Sequence, residues 1–151
     1  MTNSVFCFDE VFGFEDFGPQ HGKTKIPANH ALVFMIRGIT TKWKQVLGFT
    51  LACEVTKSEI LCELMQTCLR ALEDVGLQVI ACVCDLGSCN NKMISKLLHV
   101  TANQPFFNLD GKKYFMIYDI PHLLKCLRNN LLKYDFLVDN KVVSWKRIVS
   151  V

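Results

Sequence analysis

The chain has 151 residues, 50% of them hydrophobic and 21% charged, with a formal net charge of +3. That balance excludes a disordered chain and gives one domain with a real core, while so small a charge identifies neither a nucleic-acid nor a membrane partner. No apolar run approaches the roughly 20 residues that a membrane span requires, so no membrane partner is expected.

The N-terminal segments VFCF and VFGFEDF are dense in aromatics and valine, which suit a pleated surface, and read as strands. GPQHGKTKIPANH, with its Gly and Pro punctuation, reads as an exposed loop. The apolar run ALVFMI (31–36) predicts a strand buried on both faces. RGITTKWK makes a turn, and QVLGFTLAC (45–53) is the antiparallel partner. Trp43, between two lysines, is either a packed aromatic at the hairpin end or a stacking surface for a base.

Thr56-Lys57-Ser58-Glu59 has the pattern of a capping box. Behind it Ile60, Leu61, Leu64, Cys68, Leu72 and Val75 share one broad helical face, and Gly76 supplies the stop, so a helix is expected over 57–75. The strand QVIACVC (78–84) follows. Ser88 or Asn90 then caps a helix running to about His99. A loop carrying Asn103, Pro105 and the Asn108–Gly111 stretch precedes the strand KYFMIY (113–118). Pro121 suits the first residue of the next helix, where its missing N–H costs nothing. The last 18 residues are less regular. The order gives a mixed α/β sheet, three antiparallel strands and then helix-linked strands pairing in parallel, with helices on its faces.

Eight cysteines, at 7, 53, 62, 68, 82, 84, 89 and 126, show no Cys-x-x-Cys pair and lie mostly in apolar runs, where cysteine acts as a small hydrophobe. The N-terminus MTNSVFCFDEV lacks the basic start and apolar core of a signal peptide, so free thiols in a reducing intracellular compartment are expected. A zinc site from Cys82, Cys84, Cys89 and His99 fits no common ligand spacing.

The strand 78–84 runs straight into Asp85-Leu86-Gly87, which sets a carboxylate at the C-terminal edge of the sheet, where open α/β folds bind ligands. Asp85 is either a turn or cap residue, or a ligand for a divalent cation in phosphoryl-transfer chemistry. The second role needs another carboxylate. Asp9, behind the strand-like VFCF, is the candidate, unless it is a solvated member of the acidic group with Glu10, Glu15 and Asp16. Asp119 ends its strand as Asp85 does, and reads best as a helix cap.

NHALVFMIRGITTKWKQVLGF, GLQVIACVCDLGSCNN and YFMIYDIPHLLKCLRNNLLKYD resemble, in order and spacing, the P-element-type DNA transposases, a family that includes the transposase-derived proteins carrying a THAP zinc domain. The resemblance covers roughly residues 11–151. It implies an RNase H-like catalytic core interrupted by a GTP-binding insertion domain, and cut-and-paste transposition of DNA with three acidic residues and Mg²⁺. Asp85 matches the second acid. FDEV at 8–11 looks like the Phe-Asp-Glu-Met motif of the first, which makes Asp9 its counterpart, although the segment VFGFEDFG follows more closely than the family usually places it. The third acid lies beyond the insertion, which leaves the fold truncated before its last helix.

On that basis residues 1–133 are the N-terminal part of the RNase H-like domain, and 134–151 begin the insertion. The resemblance further implies a nuclear protein with DNA as partner. Lys125, Arg128 and Asn129, in the PHLLKCLRNN block, are the candidate phosphate contacts, with a plain solvated face as the alternative. Three activities are compatible with this chain: a remnant that does not cut DNA alone, a nuclease borrowing its third acid from another chain, and a DNA- or transposase-binding module. An incomplete core also predicts exposed apolar faces and self-association.

Overall fold

The structure, a computed structural model, describes residues 13–149. The described residues divide into two compact units, with the boundary between Val79 and Ile80.

Among the described residues, the first unit is a four-stranded antiparallel sheet followed by a helix. Its strands are β1 (Phe14–Asp16), β2 (Lys23–Pro27), β3 (His30–Arg37) and β4 (Lys44–Ala52), ordered β2-β1-β4-β3. The expected hairpin is present, with Ala31 opposite Leu51 and Arg37 opposite Lys44. The register shifts between Phe34, opposite Gly48, and Met35, opposite Val46, so Leu47 is the extra residue of a bulge. Two expectations fail here. The segment read as a loop contains β2, whose five residues are all exposed and so carry no hydrophobic signal. And β3 is not buried on both faces: it is an edge strand whose Val33 and Met35 are half exposed, because successive side chains point to opposite sides of the pleat.

The acidic side chains of β1 are structural. Glu15 accepts from the Cys53 N–H and the Thr24 hydroxyl, both at 3.0 Å, which ties β1 to the end of β4 and to β2. Asp16 accepts from the Gly18 N–H at 3.0 Å and pairs with Lys23 at 3.1 Å, and these contacts hold its carboxyl below the usual range.

α1 (Ser58–Asp74) ends as expected: Gly76 takes φ +80, and the amides of Gly76 and Leu77 close on the carbonyls of Glu73 and Leu72 at 2.9 Å. The capping box is not the start. Lys57 occupies the cap position with extended backbone and makes no side-chain cap bond. The buried stripe is also rotated from the expected one. Ser58, Leu61, Cys62, Met65, Leu69 and Leu72 are buried, whereas Val75 at the C-cap is mostly exposed. The apolar arc is wide enough that sequence period alone does not fix its centre.

The second unit is built on β5 (Ala81–Cys84), β6 (Phe106–Leu109) and β7 (Lys112–Tyr118), in the order β5-β7-β6. β5 and β7 pair in parallel, Ala81 opposite Phe115 and Cys84 opposite Tyr118, as the order of elements predicts. β6 lies in the segment expected to be a loop. It forms a hairpin with β7 through Asp110 (φ 50) and Gly111 (φ 78), the positive-φ pair of a type I′ turn, which favours Asp-Gly. Across that hairpin Phe107 stacks on Tyr114 at 5.5 Å, and Tyr114 is 2% exposed.

Between β5 and β6 the chain makes a short helix α2 (Ser88–Lys92) that continues as a π-helical turn, Met93–Leu97, closed by the Leu98 amide on the Met93 carbonyl at 2.9 Å. Gly87, not Ser88 or Asn90, takes the cap position. The turn buries Met93 and Ile94, and His99 ends it at φ 53. α3 (Ile120–Leu131) follows β7, then a second hairpin, β8 (Phe136–Val138) and β9 (Lys141–Val143), and a final turn α4 (Trp145–Val149). No helix among the described residues is long and apolar enough to cross a membrane.

Candidate functional site: the carboxylate edge of the parallel strands

β5 ends at Cys84 as expected, where its sequence stops favouring a strand at Asp85-Leu86-Gly87, although it begins at Ala81, three residues later than the apolar run suggested; β7 stops where Pro121 demands a helix start. Their parallel register sets both ends at the same edge. The Asp119 amide then donates to the Cys84 carbonyl at 2.8 Å, so Asp85 and Asp119 leave the sheet from neighbouring strand ends.

The two carboxylates have different work. Asp119 is the N-cap of α3, accepting the His122 amide at 3.2 Å, with Pro121 in the first turn. The cap reading of Asp119 matches this geometry. Asp85 is exposed and folds back over the turn, where its Oδ1 accepts the Gly87 amide and the Asn90 side-chain amide, each at 2.7 Å. The Gly87 and Asn90 hydrogen bonds and, more weakly, the nearby His122 hold the Asp85 carboxyl below its ordinary value. The seat requires Gly87: a β-carbon there would stand 2.8 Å from Asp85 Oδ1. Asn91 is also engaged, through a 3.1 Å bond from the Tyr118 hydroxyl.

Divalent cations such as Mg²⁺ take hard oxygen ligands, one or two carboxylates with water and substrate phosphate completing the shell. Asp85 suits that donor set, being ionised, exposed, and with no hydrogen bond to Oδ2 among the described residues. It supplies one ligand, and no group of three or more His, Cys, Asp or Glu among the described residues forms a metal site. Asp9 lies outside the described residues, so its distance from Asp85 is not part of this geometry. The zinc set of Cys82, Cys84, Cys89 and His99 does not assemble. Cys82 and Cys84 are half-buried thiols whose burial, with the neighbouring Cys84 and Asp85 charges respectively, pushes each up to about 11.

α3 carries two contrasting faces. Lys125, Arg128 and Asn129 fall together at i, i+3 and i+4 and are exposed, with the Arg128 guanidinium donating to the Asn129 side-chain Oδ1 at 3.0 and 3.3 Å. The opposite face, Ile120, Leu123, Leu124 and Leu127, lines an open apolar groove of about 540 Å³ with Leu86 and Phe136. His122 belongs to the same PHLLKCLRNN block as Lys125, Arg128 and Asn129, but its backbone amide is what reaches this edge, as the donor to the Asp119 cap.

Residues 6–98 match the family model described as TNP-like, RNase H N-terminal domain. The chain is 27% identical over 125 residues to the transposable element P transposase of Drosophila melanogaster, an alignment covering 81% of this chain and 16% of that protein. It superposes on a chain of the Drosophila P element transposase strand transfer complex with a TM-score of 0.71 at 25% identity, over 93% of this chain and 31% of that one. The chain therefore spans less than a third of either relative's length.

Proposed function

Because the chain belongs to the P-element-type transposases and has their RNase H-like mixed α/β fold, we propose that it supplies the N-terminal part of a DNA cleavage and strand-transfer domain. In this reading Asp85 is a divalent-cation ligand and Asp9 its neighbour at the same cation. DNA is the partner, and the nucleus is the place of action. The observation that carries it is Asp85 itself. It stands at the end of a parallel strand with one oxygen held and the other accepting no hydrogen bond among the described residues.

A bound Mg²⁺ would supply charge stabilisation at a phosphate oxygen. The chain's own residues do the positioning: Gly87 and Asn90 hold the carboxylate, and the Asp119 cap anchors the first turn of α3 beside it. The 151 residues do not cleave DNA by themselves, since a cation held by one or two carboxylates lacks the third acid that the family resemblance requires. Residues 134–151 begin the insertion domain, and no GTP contact is assigned to them.

A metal-dependent nicking assay on supercoiled DNA tests this, with Mg²⁺ or Mn²⁺ and the chain alone. No nicking is expected. Nicking that disappears in Asp85→Ala would instead make the chain a complete nuclease. The exposed basic face of α3 favours a second activity, DNA binding without catalysis. Retention on duplex DNA should fall steeply with salt, and Lys125→Ala should reduce the log–log salt slope by about 1. Retention that is absent at low salt would remove α3 as a DNA contact.

A further inference from the structure

Asn90 stands five residues beyond Asp85, in the first turn of α2, and its side-chain nitrogen lies 2.7 Å from Asp85 Oδ1. The Gly87 amide reaches the same oxygen at the same distance. A carboxylate oxygen has two acceptor lone pairs, so these two donors fill Oδ1. Oδ2 receives no hydrogen bond among the described residues.

The Gly87 bond alone closes the turn from strand to helix, because a bond from residue i+2 to an aspartate side chain is enough to make that turn. A second donor, recruited from the following helix, adds nothing to the turn. It fixes rotation about the Cβ–Cγ bond, which a single bond leaves free to swing. The same amide also approaches the Asp85 backbone carbonyl at 3.5 Å, bracing the side chain from the main chain side. The missing side chain at Gly87 leaves the space in which this arrangement fits.

We propose that Asn90 is a positioning residue: it occupies Oδ1 of Asp85 so that Oδ2 is the oxygen presented to a divalent cation. The inference rests on the assignment of Asp85 as a cation ligand and deepens it. Outer partners of this kind orient the ligand and set its basicity, and their loss typically costs about 10–100-fold in metal affinity.

The test uses Mn²⁺ as the probe on the whole 151-residue chain, read by paramagnetic broadening of backbone amide signals, with a thermal melt recorded for each variant. In the wild type, broadening should centre on residues 85–91. Asn90→Leu, similar in size but without a donor, should weaken Mn²⁺ binding about tenfold or more, and Asn90→Ser, which restores a donor, should recover part of it. Asn90→Gln keeps the amide but displaces it by one methylene, and should also bind more weakly. It serves if the leucine variant does not fold. A purely structural asparagine would lower the melting temperature and leave the affinity of the folded protein unchanged, and that result overturns the inference while Asp85 remains a ligand. Absence of broadening around residue 85 in the wild type overturns the cation assignment itself.

Discussion

Trp43 has two readings, base stacking or packing at a hairpin end, and the geometry around Gly38 favours packing, although Trp43 remains 40% exposed. A β-carbon at Gly38 would lie 2.5 Å from the indole nitrogen of Trp43 and 2.7 Å from the Thr41 carbonyl oxygen, so the indole covers the turn as packing. The Gly38 amide and Trp43 carbonyl close that turn at 3.0 Å. Gly38→Ala should therefore cost about 1–3 kcal/mol, the range for overpacking against atoms that cannot move away. Urea denaturation measures it, and an unchanged midpoint would mean that the indole is free to leave. Asp85 shows the limit of legibility at this scale. A buried strand running into Asp-Leu-Gly marked the carboxylate, but nothing in the order of residues says which oxygen is held or that Asn90 holds it. That depends on helix phase at α2, a property of three dimensions. Asp9 was equally legible as a motif, and it lies outside the described residues.

Elements that announce themselves by period came through best. α1 has seventeen residues and a glycine stop, and its ends fall within a residue of expectation. The β3–β4 hairpin was legible because two apolar runs flank a polar turn. β2 was not, since every one of its residues is exposed, and β6 was not, because Asp110-Gly111 reads equally as loop punctuation or as the reversal of a tight hairpin, which it is. The π turn over Met93–Leu97 has no compositional signature at all. α3 offers the sharpest test of an element's construction. Its start depends on the Asp119 cap, so Asp119→Ala should lower stability by about 1 kcal/mol, while Asp119→Asn should retain most of it. Chemical denaturation of both variants measures this. Equal losses in the two would show that charge, and not the capping hydrogen bond, matters at this position.

For the whole molecule, each unit leaves apolar surface facing solvent. In the first, Phe49 is 66% exposed and Met35 56%; in the second, Val83 is 64% exposed and Leu124 61%. Surfaces of this kind, repeated on β4, β5 and α3, favour contact with other protein. The chain should associate at tens of micromolar, and size-exclusion chromatography with light scattering should show species larger than a monomer. A clean monomer across that range would show that these side chains are tolerated singly. The expected order of antiparallel strands followed by a parallel pair was legible because β3, β4, β5 and β7 each carry an apolar run, whereas β2 and β6 do not announce themselves in this way. The division into two units was not, since no linker composition marks residues 79 and 80.

The mixed three-stranded sheet also has a kinetic meaning. β6 and β7 are joined by a two-residue reversal and can zip together locally within microseconds, whereas β5 must close a loop of about thirty residues before it gains a partner. Chain entropy thus places the docking of β5 late on the route to the native state, and the acidic tip that it carries takes its final position only then. Pulsed hydrogen exchange during refolding should show amides of β6 and β7 protected before those of β5. Simultaneous protection of all three would mean that the sheet condenses in one step.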